Sequence, residues 1–175
     1  MSPEPSSAAL LSRTYPTRHG LDQDTRRSMV ILLNQRLADA ADLYSQTKHA
    51  HWNVKGSDFF QLHKLFDELA ELVEGHVDVI AERATALGGV ALGTIRMGAR
   101  STSLPEIPPE AQGGREFLEA LAESYSAHGR KIGEGIERAE EAGDRGTADL
   151  LTQVVRDVDK ALYFLESHLQ SGPAR

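Results

Sequence analysis

The sequence contains no cysteine, so disulfide bonds, cysteine-ligated zinc sites and iron–sulfur clusters are excluded. It also lacks an apolar run near the roughly 20 residues that a membrane-spanning helix requires. What remains is a chain of 175 residues with 40% hydrophobic residues and a formal net charge of −7. This composition indicates one folded domain with a sizeable core, rather than a disordered chain or a general binder of polyanions.

The two ends of the chain are predicted to be tails. Residues 1–20, MSPEPSSAALLSRTYPTRHG, are rich in proline and serine and predict a flexible segment. They lack the basic start and long apolar core of a signal peptide, so we expect a cytoplasmic protein. The folded domain is expected over residues 21–171, followed by a short C-terminal tail at 172–175.

Four long segments carry apolar residues at three- and four-residue spacing, the pattern of amphipathic helices. They run approximately over residues 22–53, 58–87, 115–142 and 147–169. Asp58 and Gln61 have the spacing of a capping box at the second helix. The acidic run EEAGD at residues 140–144 is interpreted as a solvated helix end.

A long connection at residues 90–114, with three prolines and several glycines, joins the second and third helices. Connections of this length are uncommon in compact domains unless they cross the fold, and residues 95–100 predict one short helix within it. No segment alternates with period two, so no sheet is expected. The sequence therefore predicts an all-α fold, a ferritin-like four-helix bundle with a long crossover.

The second helix carries four candidate metal ligands on one stripe. With His63 at zero and about 100° per residue, Asp67 lies near 40°, Asp78 near 60° and Glu82 near 100°. These residues form two i,i+4 pairs whose centres are about 22 Å apart along the helix. One metal ion cannot bind both pairs of a single helix, because ligand bonds are about 2 Å long.

The two pairs are symmetric about a point between residues 72 and 73. If an antiparallel copy of the helix crosses there, His63 comes level with Glu82 of the partner subunit, and Asp67 with Asp78 of the partner subunit. Gly75 lies near the crossing point and permits close approach. The spacing thus predicts two identical sites in a two-fold dimer, each built from both subunits.

His51 is predicted to complete the site, because a tight turn at Gly56 would return the chain and place His51 beside His63. Two imidazoles and three carboxylates without a thiolate suit iron, manganese or zinc. Trp52 would stand beside the site as a large oxidisable ring. The alternative interpretation is that these are ordinary solvated side chains, with the i,i+4 pairs supporting the helix locally.

Two motifs in this region strongly resemble the Dps family, the mini-ferritins of the ferritin-like superfamily. They are KHAHWNVKGSDFFQLHKLFDE from Lys48 and DVIAERATALGGVALGT from Asp78, and similarity continues through TADLL at Thr147 and RDVDKALYFLES at Arg156. The resemblance implies a hollow dodecamer that oxidises ferrous iron, preferably with hydrogen peroxide, stores a ferric mineral and protects DNA. The family's ferroxidase ligands match His51, His63 and Asp67 of one subunit. The other two match Asp78 and Glu82 of its two-fold partner.

The resemblance also suggests where iron enters the shell. The family's acidic iron-entry pores are similar to Asp149 and Asp159, expected early in the last helix. Lys48 and Lys64 flank the ferroxidase ligands and are assigned an interface or solvent role.

DNA binding is expected to be weak. The first 20 residues offer only Arg13, Arg18 and His19 as basic side chains, against Glu4. Twelve tails on one shell would gain avidity, but an acidic shell with few phosphate contacts loses binding quickly as salt rises.

The other histidines are weaker candidates for a further zinc or iron site. His49 lies about 200° from His51 around the helix, so both cannot face one metal. His76 is expected to pack near the two-fold crossing, and His128 and His168 to lie at the surface or an interface.

Conventional ferritins and bacterioferritins place a di-iron site inside one bundle with Glu-x-x-His pairs, and no histidine here has a glutamate three residues before it. None of Met1, Met29 and Met97 lies in a haem-binding motif. Two alternatives stay open: a non-enzymatic cage that coats the nucleoid, and a cage in which zinc competes with iron.

Overall fold

The computed structural model describes residues 10, 11 and 13–170, and its architecture is a four-helix bundle with a long crossover. Over residues 13–170 the helices are α1 Gln23–Asn53, α2 Phe59–Ala86, α3 Ile95–Ser101, α4 Gly114–Glu141 and α5 Arg145–Leu169. No strand occurs in that range, where the only β-type pairing is an isolated bridge between Lys55 and Gly113. The all-helical prediction and the short helix in the crossover are confirmed.

The bundle consists of two helical hairpins packed face to face. α1 packs along α2, α4 along α5, and α1 also contacts α4 and the short α3. The core between them is formed by large apolar side chains that are fully buried, including Leu33, Leu43, Phe66, Leu121, Ile132 and Leu151. Burying each such side chain contributes about 1.5–3 kcal/mol, so this core holds the four long helices in register.

Three glycines with positive φ mark the turns that the sequence predicts. They are Gly56 at +111°, Gly88 at +85° and Gly143 at +72°. At Gly88 the constraint is also steric, because an added Cβ would lie 2.7 Å from the backbone oxygen of Tyr15. The end of α2 is thus closely packed against the segment that precedes α1.

The segment before α1 has definite contacts with the bundle. The Tyr15 amide donates to the Gly88 carbonyl at 2.7 Å, and Arg26 donates to the Leu87 carbonyl at 3.0 Å. Residues 1–9, 12 and 171–175 lie outside the described residues, so the flexibility of the proposed tails at 1–20 and 172–175 and the domain bounds stay predictions. None of the described helices is long and apolar enough to cross a membrane.

Two expectations about helix ends are wrong. Asp58 precedes α2 but its side chain makes no capping hydrogen bond, because its backbone (φ −98°, ψ 16°) is not in the extended conformation usual for an N-cap. Asp144, in the acidic run interpreted as solvated, is only 2% exposed. It caps α5 by accepting from the Thr147 amide at 3.0 Å, and it pairs with Arg83 of α2 at 2.6 Å.

Replacing Asp144 is expected to destabilise the subunit, because α5 loses its cap and Arg83 loses its buried partner. We expect Asp144→Ala to lower the free energy of unfolding by about 3 kcal/mol, from about 1 kcal/mol for the cap and the remainder for the unpaired cation. Urea denaturation measures this change. Asp144→Asn keeps an acceptor for Thr147 and should lose less; equal losses in both variants would contradict a capping role.

Candidate metal centre

His51 and His63 form the centre of the candidate site, where the last turn of α1 meets the first turns of α2. The two imidazole rings stack with centroids 3.8 Å apart and an interplanar angle of 20°. Nδ1 of His51 lies 2.8 Å from the carbonyl oxygen of His63, and Nδ1 of His63 lies 2.9 Å from the carbonyl oxygen of His51. The predicted juxtaposition of these histidines is confirmed.

These reciprocal hydrogen bonds determine which ring nitrogen can bind a metal. A carbonyl oxygen only accepts, so Nδ1 of each ring must carry the proton and donate it. In the neutral imidazole the lone pair then resides on Nε2. Such backbone bonds orient metal-binding histidines, so both rings present Nε2 as a ready donor atom.

Asp67, one turn further along α2, lies beside this pair. Its Oδ1 is 3.7 Å from Nε2 of His51 and accepts a hydrogen bond from Nζ of Lys48 at 2.8 Å. The Lys48 bond is the main cause that lowers the pKa of Asp67, with smaller contributions from the nearby histidines. Asp67 is therefore an ionised carboxylate that Lys48 already contacts.

The sequence reasoning missed the direct contact of Lys48, which it expected only to flank the site. The signal was available, since Lys48 lies three residues before His51 and so shares its helix face. Lys64, by contrast, is exposed on α2.

Asp78 and Glu82 lie on the same α2 stripe but are exposed and remote from the histidines. The rise of an α-helix separates the two pairs by about 22 Å. Within the described residues, no three His, Asp or Glu side chains converge in one chain with metal-binding geometry. The structure thus places His51 beside His63 and Asp67 without forming a complete metal site in one chain, and it leaves Asp78 and Glu82 apart from them.

Large apolar side chains are exposed on α1, α2 and α3. Ile95 is 91% exposed and Trp52 65% exposed, and Val79 on α2 is also exposed. Trp52 lies beside the site, with Nζ of Lys48 5.8 Å from its ring centroid. A groove of about 430 Å³ runs between Trp52, Val77 and Ile95. Gly75 has no atom within 4 Å of an added Cβ, so its face of α2 is open.

The predicted pore residues occupy different parts of α5. Both are exposed, but Asp149 lies in its second turn and Asp159 beyond its midpoint, about 15 Å further along the axis. The expectation that both lie early in the helix is wrong for Asp159. Their assignment to an iron pore stays a prediction.

The remaining histidines divide into exposed and buried. His49 and His168 are exposed. His128, expected at the surface or an interface, has 0% exposure and lies in the bundle core because its helix face also carries the buried Tyr125 and Ile132. His76 packs within its own chain, with Nε2 3.2 Å from a carboxylate oxygen of Asp157.

Comparisons with known proteins agree with this architecture. A model of the ferritin-like domain matches residues 31–174. The DNA protection during starvation protein of Agrobacterium fabrum is 39% identical over 90% of this chain and 98% of its own length. The solved structure of DpsC from Streptomyces coelicolor has a TM-score of 0.87 at 33% identity, covering 93% of this chain and 95% of that chain. A Dps protein of Vibrio cholerae O1, described as a member of a broad superfamily of ferritin-like diiron-carboxylate proteins, has a TM-score of 0.83 at 27% identity, covering 91% of this chain and all of the other.

Proposed function

We propose, since the chain belongs to the Dps family of ferritin-like proteins, that it stores iron and protects DNA by oxidising ferrous iron at sites shared between two subunits. The observation that supports this most is the pair of reciprocal hydrogen bonds between His51 and His63. Nδ1 of each ring donates a hydrogen bond to the backbone carbonyl of the other residue, so Nε2 is left to bind a metal ion.

The complete site would combine His51, His63 and Asp67 of one subunit with Asp78 and Glu82 of the partner subunit. The positions along α2 support this, because a two-fold crossing near Gly75 brings each pair level with its complement. The exposed side chains of Trp52 and Ile95, which line the same groove, support it independently, since clustered exposed apolar side chains mark an interaction surface.

The proposed reaction uses ferrous iron and hydrogen peroxide as substrates. Two Fe(II) ions bound by the imidazole Nε2 atoms and the carboxylates each give one electron to the peroxide. Its O–O bond breaks, two protons are taken up, and two Fe(III) ions and two waters result. The transfer of both electrons at one site keeps hydroxyl radical from forming, and the carboxylates favour the ferric charge.

Lys48 is expected to weaken iron binding, because its ammonium competes for Asp67 and repels the incoming cation. We expect Lys48→Met to bind Fe(II) more tightly, by at most about fivefold, since a partly exposed ion pair is worth about 1 kcal/mol or less. Anaerobic calorimetric titration with Fe(II) measures this. Lys64→Met, which removes an exposed lysine from α2, is the matched control, and an equal gain in both variants would contradict a specific role for Lys48.

Peroxide-driven iron oxidation provides the direct test of the proposed activity. The protein is loaded anaerobically with Fe(II), hydrogen peroxide is added, and ferric absorbance is followed in the near ultraviolet. We expect fast oxidation in the wild type and near-background oxidation in the double variant His51→Ala, His63→Ala. The exposed pair His49→Ala, His168→Ala is the control, and size-exclusion chromatography verifies the assembly of every variant.

The wider features of the family are carried over as proposals. They are a homododecameric shell in the cytoplasm, iron entry past Asp149 and Asp159, and weak, salt-sensitive DNA binding. Equal, slow oxidation in the wild type and the double histidine variant would favour instead a cage that coats DNA without ferroxidase activity. Zinc, which prefers the same imidazole and carboxylate donors, is the expected competitor for the site.

A further inference from the structure

A second group of polar side chains lies in the middle of the bundle, apart from the candidate metal centre. All four long helices contribute to it: Arg36 from α1, His76 from α2, His128 from α4 and Asp157 from α5. Three of these are nearly or fully buried, at 5%, 5% and 0% exposure for Arg36, His76 and His128. We call these four residues, with Asp39 of α1, the polar layer.

The known contacts of the polar layer satisfy only part of its hydrogen-bonding capacity. Nε2 of His76 bonds to Asp157 at 3.2 Å. One guanidinium nitrogen of Arg36 donates to the Lys131 carbonyl, and another lies 3.0 Å from Oδ2 of Asp39. These contacts tie α1 to α4, and α2 to α5.

Several buried polar atoms of the layer have no hydrogen-bond partner. In the described part of the chain, four buried side-chain atoms have no polar partner: Nε of Arg36, Nδ1 of His76, and Nδ1 and Nε2 of His128. Oδ2 of Asp39 accepts no well-aligned hydrogen bond, but it is paired with Arg36. All belong to the polar layer. Each unsatisfied buried group costs about 1–3 kcal/mol, so their concentration in one place calls for a bound partner.

The chemistry of these atoms identifies the class of that partner. Burial, with the charges of His76 and Arg36, lowers the pKa of His128 to about 3. His128 is therefore neutral near pH 7, with one N–H donor and one acceptor. A partner that both donates and accepts satisfies such a ring, and water does so within a site of its own size.

A metal ion fits these residues poorly. Only His76 and His128 offer free imidazole nitrogens, and the described residues contain no set of three converging donors in one chain. The guanidinium of Arg36 also places a positive charge beside His128, which disfavours a second cation.

We propose that ordered water molecules occupy the polar layer, bridging His128 to Nδ1 of His76 and to Nε of Arg36. These water molecules stabilise the centre of the bundle, because they supply the hydrogen-bond partners that His76 and His128 lack. Asp157 is partly exposed in the isolated subunit. It contacts His76 and also lines the groove of about 520 Å³ between α2 and α5, so it connects the site with that groove. Water and protons can exchange along that route without unfolding of the bundle.

A high-resolution crystal structure of the assembled wild-type protein tests the proposal. Water peaks are expected within about 3.2 Å of both ring nitrogens of His128. His128→Leu should lose these peaks, and His128→Gln, which keeps a donor and an acceptor, should retain at least one of them. If His128→Leu does not assemble, the wild type and the Gln variant decide the question.

Three results would overturn the proposal. One is direct bonding of both His128 nitrogens to protein atoms. Another is an anomalous metal signal at the layer in the wild type. The third is a dry void that takes up xenon under pressure, since apolar cavities bind xenon and hydrated polar sites do not.

Discussion

Two inactive variants are expected to restore activity when they share a shell. The first variant, His51→Ala with His63→Ala, removes the imidazole half of the site. The second, Asp78→Asn with Glu82→Gln, removes the carboxylate half. Each homogeneous assembly should lose fast peroxide-driven oxidation, because every site in it lacks one half.

Mixed dimers give a different result, because the two sites of a two-fold dimer are reciprocal. In a mixed dimer one site receives both mutated halves, while the other combines the intact halves of the two chains. Random mixing in equal amounts makes half of the dimers mixed, so about one quarter of all sites should be intact. Ferric formation in a co-expressed, co-purified shell measures this fraction.

The design has an internal control. A chain that carries all four substitutions, mixed with wild type, forms no intact site in a mixed dimer and should give only the activity of the wild-type dimers. If the first pair of variants shows no recovery although mass spectrometry confirms mixed shells, the five ligands do not act across a subunit interface.

Mild acid is expected to lower the free energy of unfolding of the bundle, because His128 takes up a proton when the chain unfolds. The pKa of this histidine is about 3 in the folded protein, since burial penalises its charged form, and about 6.5 when unfolded. Between these values the unfolded chain binds the proton and the folded chain does not. Stability is therefore unaffected above pH 6.5 and falls as the pH decreases towards 3.

The size of this effect follows from the linkage of protonation to folding. Each pH unit below 6.5 costs about 1.4 kcal/mol per subunit, which gives about 2 kcal/mol at pH 5. Thermal unfolding at pH 7.5 and pH 5.0, at one ionic strength, measures the loss. His128→Leu should show a smaller acid shift of Tm than the wild type, whereas the exposed His168→Leu should leave the shift unchanged. Equal shifts in wild type and His128→Leu would contradict this assignment.

The sequence was sufficient to predict features that depend on regular helical spacing. Helix bounds, the glycine turns and the approach of His51 to His63 follow from periodicity and from one short reversal at Gly56. The stripe of Asp67, Asp78 and Glu82 on α2 has the same origin. The family resemblance then identified the chemistry that such a stripe performs.

Features that depend on packing between distant segments were not predictable. Asp144 is 61 positions from Arg83, and nothing local shows that the two meet. His128 was expected at the surface or an interface, because a single histidine carries no periodic signal, yet its position on α4 places it in the core. The Lys48–Asp67 contact differs from these two, because Lys48 shares the helix face of His51 and its approach to the site could have been predicted.

Iron bound between two subunits would be seen by anomalous diffraction at the iron edge. Crystals of the assembled protein are soaked anaerobically with Fe(II), and data are collected above and below the edge. If iron binds as proposed, peaks are expected within about 2.0–2.3 Å of Nε2 of His51 or His63 and of carboxylates on both chains. Iron held by a single chain, or peaks only at other places, would contradict the proposal.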